Sequence, residues 1–387
     1  MVTVEEALKI VQEQPVKLKT ENRHLEDCLG FSLSEDITAP FDMPSFDNSA
    51  MDGYALCGIY KEYRIVGEVA AGDMSEIELK EGEAVRIFTG AKVPEKTTAV
   101  IMQEKVSVQG DKLLLETEPK GGQCIRSKGE ELKEGQLVFE KGYSITPAGI
   151  GLIGSLGIEK VEVFKKPVIN LITTGNELIQ PNKPKAEGQI FESNSYALAA
   201  ACENFGFHCQ DKKQIEDNFE AIKSEIKESL ETSDVLILSG GISVGDYDFV
   251  KQALEENGVE EQFYKVFQKP GKPLYFGRKG DKFIFALPGN PASSLSCFYV
   301  YVLPFLYQLS NSDKGLDRYS FPISHNFENR GDRPSFLKAK ISNSKVEILN
   351  GQGSSMIQSM ALGNALAFLD AETSVKKGDL IECLLIS

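Results

Sequence analysis

The stretch DVLILSGGISVGDYDFV, residues 234–250, runs from an apolar segment straight into glycines, serines and acids. Its consecutive apolar residues, without polar alternation, predict a strand buried on both faces of a parallel sheet. PVINLITTG at 167–175 and KFIFALPG at 282–289 have the same form, and amphipathic helical segments separate the three. This alternation predicts a doubly wound, mostly parallel α/β domain over residues 167–312.

Shorter, alternating segments on both sides of this region predict β structure. Residues 45–140 contain runs such as YRIVGEVA and AVIMQEKVSV, separated by Gly, Asp and Lys, and predict an all-β region. Residues 313–387 alternate in the same way and predict a small C-terminal β domain. A capped N-terminal helix is expected before the all-β region, and a short buried helix over 146–157 is expected after it.

Composition excludes several classes of protein. The 387 residues carry 57 acidic and 42 basic side chains, a net charge of −15, which argues against nucleic-acid binding. None of the seven cysteines is spaced CxxC and the three histidines lie far apart, so neither a disulfide framework nor a histidine zinc site is expected. The N-terminus lacks signal-peptide features, and the longest apolar run, 297–307, is shorter than a membrane span. A cytoplasmic protein without membrane or nucleic-acid partners is therefore expected.

Polar, glycine-rich loops follow the three buried strands. Ligands of open parallel sheets bind beyond the carboxyl ends of the strands, where such loops converge. Glycines let backbone N–H groups approach a phosphate, and the helix after each loop adds its positive end. A single loop of this kind is better explained as an ordinary turn with a helix cap, but three together favour binding. The candidates are Glu177 after the first strand, Ser239, Gly240, Gly241, Ser243, Gly245, Asp246 and Asp248 after the second, and Pro288, Gly289, Asn290 and Pro291 after the third.

Three of these candidates are carboxylates. Glu177, Asp246 and Asp248 are hard oxygen ligands of the kind that Mg²⁺ prefers. A phosphate together with Mg²⁺ is therefore the expected occupant of the site.

A basic segment, FYKVFQKPGKPLYFGRK at 263–279, stands out in this acidic chain. Its lysines form either a solvated edge or a group of point charges that face an anionic ligand. Because KPGKP is a rigid turn, it would present Lys269 and Lys272 on one side, and Lys265 lies just before it.

Other motifs do not support a different chemistry. Residues 241–245 match the GxSxG element of hydrolases, but only His325, beyond the α/β region, could serve as the later histidine. Neither GxxxxGK[ST] nor a GxGxxG that opens a βα unit occurs. The loop PFDMPSFDNSAMDGYAL, residues 40–56, spaces Asp42, Asp47 and Asp52 equally, yet it does not fit the oxygens and closing glutamate of an EF-hand.

Long motifs in the chain resemble the molybdopterin molybdenumtransferase family, to which gephyrin-type proteins are related. In order they are SAMDGYAL (49–56), FTGAKVP (88–94), TTGNELI (173–179), SGGISVGDYDFVK (239–251), KPGKP (269–273), LPGNPASS (287–294) and GSSMIQSMALGNAL (353–366). The resemblance spans residues 1–387 and implies four domains in an elongated homodimer. They are a discontinuous N-terminal and linking domain (1–44 and 141–166), an inserted β-rich domain (45–140), the α/β domain (167–312) and a small C-terminal β-barrel (313–387). It implies that adenylylated molybdopterin and molybdate give molybdenum cofactor and AMP with Mg²⁺. Contact with a molybdopterin adenylyltransferase is a further implied partnership.

The resemblance also implies roles for individual residues. Asp52 of one subunit would complete the α/β site of the other, which leaves Asp42 and Asp47 as solvated or capping residues. The catalytic candidates are Asp52, Thr89, Glu177, Asp217 and Asp248. Matching substrate-binding positions are Arg126, Lys265, Lys269, Lys272, Pro288, Pro291 and Ser354. One departure is Arg126-Ser-Lys-Gly-Glu-Glu131, where the family has R-x-x-G-E-D, so Glu131 replaces an aspartate.

Two other functions remain open from the sequence. One is a nucleotide-handling enzyme similar to molybdopterin adenylyltransferase, and the other is a non-catalytic scaffold. The intact acidic and lysine positions favour an enzyme. Molybdate and tungstate are not distinguished, because both are tetrahedral oxyanions of similar size.

Overall fold

The computed structural model describes residues 1–73, 77–242, 249–312 and 318–386. The chain divides into two compact units. The first comprises 1–34, 142–147 and 160–387, and the second comprises 35–141 and 148–159. Four predicted site residues, Ser243, Gly245, Asp246 and Asp248, lie outside the described residues.

The elements follow one another in this order along the described chain. The helices are α1 (Val4–Gln12), α2 (Pro147–Ser155), α3 (Asn194–Asn204), α4 (Phe219–Thr232), α5 (Val250–Glu256), α6 (Pro291–Leu309) and α7 (Ile357–Leu362), with 3₁₀ turns at Leu25–Asp27 and Gln103–Lys105. The strands are β1 (Thr20–His24), β2 (Ile37–Thr38), β3 (Asn48–Ser49), β4 (Gly53–Leu56), β5 (Glu62–Val69), β6 (Glu83–Ile87), β7 (Ala99–Met102), β8 (Val106–Gln109), β9 (Lys112–Leu115), β10 (Ile125–Arg126), β11 (Leu137–Phe139), β12 (Lys160–Phe164), β13 (Ile169–Thr174), β14 (Leu178–Ile179), β15 (Ile190–Phe191), β16 (Cys209–Ile215), β17 (Val235–Ser239), β18 (Glu260–Tyr264), β19 (Tyr275–Lys279), β20 (Lys282–Leu287), β21 (Arg318–Pro322), β22 (Phe327–Asn329), β23 (Ser335–Ser342), β24 (Lys345–Ile348), β25 (Ala365–Leu369), β26 (Thr373–Val375) and β27 (Leu380–Leu385).

The α/β region is built on a six-stranded sheet with the order β16-β13-β17-β20-β19-β18. The first four strands are parallel, and β19 and β18 pair antiparallel at one edge. Helices α3 and α6 pack on one face, and α4 and α5 pack on the other. The chain moves outward from β13 to β16 but in the opposite direction from β17 to β20, so the strand order reverses between β13 and β17. This confirms the predicted doubly wound, mostly parallel domain and gives it a topological switch point.

Helix α6 is the long apolar helix expected after the third buried strand. Its Phe298–Val302 segment is a π turn immediately before Leu303–Pro304, where proline cannot donate a backbone hydrogen bond. By length and composition it is the one helix of the described chain that is apolar enough to cross a membrane, but 78% of its most apolar window is buried in the protein. It therefore has the burial of a core helix.

The second unit contains a six-stranded sheet with the order β7-β4-β6-β5-β9-β8. Buried residues lie on both faces, with Val85 and Ile87 in one cluster and Tyr63 and Leu113 in another. The β-rich character predicted for this part of the chain is confirmed. The predicted helix at 146–157 forms as α2, but its description as buried is wrong. Only Gly149 and Ile153 are buried, because a helix this rich in glycine offers little apolar surface to a core.

The C-terminal part forms a five-stranded sheet with the order β21-β27-β25-β23-β24. A parallel bridge between Ile323 and Val346 joins the chain just after β21 to β24, so the sheet curls back on itself. The backbone N–H of Ser324 donates to Val346 O at 2.8 Å across this closure. The curled sheet agrees with the predicted small β-barrel.

Candidate functional site

A cavity of about 560 Å³ lies at the carboxyl ends of the parallel strands of the α/β sheet. Each of the four parallel strands contributes residues at or just after its last position. The lining includes Thr174, Gly175 and Glu177 at the end of β13, Asp217 after β16, Ser239, Gly240 and Gly241 at the end of β17, and Pro288, Gly289, Asn290 and Pro291 after β20. The three loops selected from the sequence therefore converge as expected.

The loops after β13 and β16 are held together by a reciprocal pair of hydrogen bonds. The backbone N–H of Asn176 donates to Asp217 Oδ2 at 3.2 Å, and the N–H of Asp217 donates to Asn176 Oδ1 at 3.0 Å. This pair fixes Glu177, the next residue in the chain, at the cavity wall. Glu177 and Asp217 thus place two carboxylates on the same cavity.

The loop after β17 passes so close to its neighbours that two glycines are required. Gly240 has a φ of +101°, and a Cβ atom there would lie 2.5 Å from Thr174 O. Gly241 has a φ of +60°, and its Cβ would lie 2.8 Å from Val250 Cγ2. Both the backbone conformation and the lack of space exclude larger residues, so the backbone itself forms this part of the wall.

Asn194, at the start of α3, connects the loops after β17 and β20. Its Nδ2 donates to Ser239 Oγ at 2.9 Å and to Gly289 O at 2.7 Å. Ser239 Oγ in turn donates to Pro288 O at 3.2 Å. The side chain of Asn194 therefore sets the distance between two of the three predicted loops.

The first turn of α6 opens onto the same cavity. Asn290 precedes the helix and Pro291 is its first residue, a position where the missing N–H of proline costs no hydrogen bond. Asn290 Nδ2 donates to Ser354 Oγ at 3.2 Å, and the N–H of Ser293 donates to Ser354 O at 3.2 Å. A turn of the C-terminal barrel is thereby tied to this helix end, and Ser355 lines the cavity.

Two buried polar atoms at the cavity have no hydrogen-bond partner among the described residues. They are Thr174 Oγ1 and Asn194 Oδ1. Buried polar groups in proteins are almost always satisfied by protein, water or ligand. A hydroxyl and an amide oxygen are therefore available to a bound molecule.

The predicted lysines lie outside this cavity. Within the KPGKP turn, Pro273 borders the cavity, whereas Lys269 and Lys272 are exposed. Lys269 lines a separate cleft of about 180 Å³ against β22 and β23 of the barrel. Lys265 has a φ of +67° and places its Nζ 4.6 Å from the centre of the Tyr264 ring. The three lysines are thus not brought together on the main cavity.

Comparison with known proteins accounts for the whole chain. Residues 2–157 match the MoeA N-terminal region (domain I and II), residues 170–308 match a probable molybdopterin binding domain, and residues 322–386 match the MoeA C-terminal region (domain IV). A molybdopterin molybdenumtransferase of Haemophilus influenzae is 34% identical, over 96% of this chain and 95% of that protein. The chain belongs to the molybdopterin molybdenumtransferase family.

Further comparisons agree with that membership. A molybdopterin molybdenumtransferase of Staphylococcus epidermidis is 32% identical over 80% of this chain and 76% of that protein. The crystal structure of the molybdopterin biosynthesis MoeA protein of Pyrococcus horikoshii OT3 has a TM-score of 0.84 at 28% identity, and each chain covers 100% of the other. The chain is therefore a transferase with a role in molybdenum cofactor biosynthesis, and it has the multidomain fold of the MoeA structures.

The remaining predicted site residues, Asp52, Thr89 and Arg126, lie in the second compact unit. Asp52 follows β3, and its Oδ1 accepts hydrogen bonds from Thr89 N at 2.8 Å and Thr89 Oγ1 at 2.7 Å. The hydrogen bond from the Thr89 backbone has the largest effect and the one from its side chain the next largest, and both hold the pKa of Asp52 below its usual value. The positive charge of Arg86 lowers this pKa further. Asp52 is therefore an exposed, ionised carboxylate in a fixed position at neutral pH.

The other two aspartates of the same loop bind the chain that follows β10. Asp47 Oδ1 accepts from the N–H of Lys128 at 2.7 Å, and Asp42 Oδ1 accepts from the N–H of Glu134 at 2.9 Å. Arg126 lies in β10, paired with Asn48. Glu131 donates its N–H to Met43 O at 3.0 Å. Asp42 and Asp47 thus act as backbone ties, in line with the capping role expected of them.

The carboxylates expected to hold Mg²⁺ lie partly at the cavity wall. Among the described residues there is no group of three or more His, Cys, Asp or Glu side chains that could hold a metal ion. Glu177, Glu192 and Asp217 border the cavity, and Asp246 and Asp248 lie outside the described residues. Glu192 accepts hydrogen bonds from the N–H and Oγ of Ser195. All three carboxylates have the hard oxygen atoms that Mg²⁺ requires.

Sequence reasoning missed Asn194, Thr174 and Ser355. The signal for Asn194 was the polar group Ser193-Asn194-Ser195 at the start of a helix in a βα unit, which is where ligand-facing residues occur. Thr174 and Ser355 lie within quoted motifs, TTGNELI and GSSMIQSMALGNAL, and Ser355 is next to the selected Ser354.

Replacing Asn194 with alanine should lower the free energy of unfolding by about 1 kcal/mol, because buried Ser239 and exposed Gly289 O each lose a hydrogen-bond donor. Chemical denaturation of the purified protein measures the change. Asn204→Ala, at the exposed end of the same helix, is the matched control and should be close to neutral. Equal stability of Asn194→Ala and wild type would mean that Asn194 does not connect the loops.

Proposed function

We propose that this protein transfers molybdenum from molybdate to adenylylated molybdopterin in the α/β cavity and releases AMP, with Mg²⁺ as cofactor. The observation that carries the proposal is the wall at Gly240 and Gly241, where an added Cβ on Gly240 would lie 2.5 Å from Thr174 O, beside the start of α6. The N–H of Gly240 donates to Leu287 O at 3.2 Å, so the N–H of Gly241 and the start of α6 are the groups that favour phosphate binding. The family membership of the chain supports the choice of substrate. A cytoplasmic homodimer is part of the same proposal.

Thr174 Oγ1 and Asn194 Oδ1, the two cavity atoms without a partner among the described residues, suit a ligand that has both a phosphate and a heterocyclic ring. Thr174 Oγ1 can donate a hydrogen bond to a phosphate oxygen. Asn194 Oδ1 can only accept, so it suits an N–H group of a pterin or adenine ring. A volume of about 560 Å³ lies within the range of small-molecule and cofactor sites.

In the proposed reaction the bond between the adenylyl phosphorus and the phosphate of molybdopterin breaks. AMP leaves with one oxygen that comes from molybdate, and the molybdenum becomes bound by the dithiolene sulfurs. No serine or cysteine nucleophile is needed. The cavity residues bind and orient the two anionic substrates, which accounts for much of the catalysis of phosphoryl transfer.

Mg²⁺, when bound, would neutralise charge on the pyrophosphate. Glu177 would hold it, together with Asp246 and Asp248. Replacing Glu177 with glutamine should therefore raise the Mg²⁺ concentration needed for half-maximal AMP release, on the order of 10-fold for the loss of one charged ligand.

A Mg²⁺ titration of AMP release measures this shift. Glu187→Gln removes the same charge from an exposed position that does not line the cavity, and it should titrate like wild type. Superimposable curves for Glu177→Gln and wild type would rule out Glu177 as a ligand.

The function is tested by incubating the purified protein with adenylylated molybdopterin, Mg²⁺ and molybdate. We expect AMP release that depends on molybdate, with formation of active molybdenum cofactor. Formation of adenylylated molybdopterin from ATP and molybdopterin instead would indicate an adenylyltransferase. Binding without turnover would indicate a scaffold, and either result would contradict the proposal.

A further inference from the structure

Lys338 is a lysine with only 2% of its surface exposed, in strand β23 of the C-terminal barrel. Its Nζ donates three hydrogen bonds, to Gly351 O at 2.7 Å, Gly353 O at 2.8 Å and Met356 O at 3.2 Å. All three acceptors belong to one turn, residues 351–356. The three N–H donors of an ammonium group are thus matched by three carbonyl oxygens.

The backbone of Lys338 holds the same turn. Its N–H donates to Gln352 Oε1 at 2.9 Å, and its carbonyl accepts from Gln352 Nε2 at 2.8 Å. Ser359 Oγ adds bonds to Gly351 O at 2.6 Å and Met356 O at 3.1 Å. The turn at 351–356 is therefore folded around the amino group of one buried lysine.

Burying the charged ammonium group of Lys338 costs solvation free energy, and an apolar side chain in the same place would avoid that cost. Burial lowers the pKa of Lys338 to about 8, so the ammonium form still predominates at neutral pH. An apolar residue could fill the same space, but it would leave three carbonyls without this donor.

The turn carries the barrel residues nearest the cavity. Ser354 is bonded to Asn290 and Ser293 in the first turn of α6, and Ser355 lines the cavity wall. We propose that Lys338 is a positioning residue, whose buried ammonium group shapes the 351–356 turn and so places Ser354 and Ser355 beside the phosphate-binding start of α6. This role rests on the proposed function of the cavity.

Replacing Lys338 with methionine keeps the length of the side chain and removes its donors. We expect the KM for adenylylated molybdopterin to rise about 10-fold, the factor that 1.4 kcal/mol of lost binding gives, with a smaller change in kcat. Lys340→Met is the matched control, since Lys340 is exposed two residues along the same strand and should leave KM unchanged. A wild-type KM in Lys338→Met overturns the proposal.

A double substitution tests whether Lys338 acts through Ser354. Since Ser354→Ala removes the group that Lys338 positions, the double variant Lys338→Met/Ser354→Ala should be no worse than Ser354→Ala alone. Fully additive losses would contradict the positioning role. If Lys338→Met does not fold, Ser359→Ala removes a donor from two of the same carbonyls and should raise KM less but in the same direction, and an unchanged KM there contradicts the proposal.

Hydrogen exchange separates this role from the proposed function. Lys338→Met should lose amide protection within residues 351–362 while the α/β sheet keeps it. Unchanged protection of that segment overturns the role of Lys338 whatever the activity. If the wild-type protein releases no AMP but Lys338→Met still loses this protection, the proposed function is contradicted. The role of Lys338 in shaping the turn is then supported independently.

Discussion

Replacing Gly240 with alanine is expected to abolish measurable AMP release and to destabilise the α/β domain. The new Cβ would lie 2.5 Å from Thr174 O, and the residue would keep a φ of +101°. Backbone strain costs about 1–3 kcal/mol and overpacking about 1–3 kcal/mol, so the free energy of unfolding should fall by roughly 2–6 kcal/mol. Relief of the clash would move Thr174 or Gly240 and so deform the cavity wall.

The matched control for this variant is Gly280→Ala. Gly280 also has a positive φ, +58°, but an added Cβ would find open space within 4 Å. Its alanine variant should lose about 1 kcal/mol and keep full activity. If Gly240→Ala and Gly280→Ala behave alike in denaturation and in AMP release, the close approach at Gly240 has no functional meaning.

Replacing Asp52 with alanine should lower the rate of AMP release by at least about 100-fold without unfolding the protein, as expected for loss of a catalytic carboxylate. Asp52 is exposed, so its removal creates no cavity. Its fixed, ionised carboxylate beside Thr89 is suited to act on a substrate rather than to stabilise a core. Normal turnover with a normal melting temperature would exclude this role. Asp47→Ala, which removes a backbone tie in the same loop, is the control that should affect stability more than rate.

Mixed dimers test whether Asp52 acts on the site of the other subunit, as the resemblance implies. Asp52→Ala and Glu177→Ala are each expected to be inactive, but a mixed dimer would contain one complete site if Asp52 crosses the interface. Random mixing makes half of the dimers mixed, each with one of two sites intact, so activity should return to about a quarter of the wild-type rate. Two inactive variants that stay inactive after mixing would contradict the arrangement.

The sequence predicted the parts of the fold that depend on a simple pattern. Strands β13 and β17 are buried on both faces, so their apolar residues do not alternate and are easily recognised. Strand β16, CQDKKQI, lies at the edge of the sheet and is only partly buried, and its polar composition gave no strand signal. The antiparallel edge, β18 and β19, was not predicted, because the segment 263–279 was interpreted through its lysines, as a solvated edge or as charges that face an anion.

The site was predicted where the backbone limits the choice of residue and missed where a side chain acts through its neighbours. The glycines after β17 and the Pro-Gly-Asn-Pro loop after β20 follow from local geometry. Asn194 and Lys338 depend on carbonyls at 289, 351, 353 and 356, which are distant in sequence, so no local pattern indicates their partners.

A crystal structure of the protein with adenylylated molybdopterin tests the central claim most directly, namely that the α/β cavity is the substrate site. We predict that the phosphates lie against the backbone of Gly240 and Gly241 near the start of α6, with Thr174 Oγ1 and Asn194 Oδ1 both bonded to the ligand. A ligand bound elsewhere, with these two atoms still without partners, would contradict the claim.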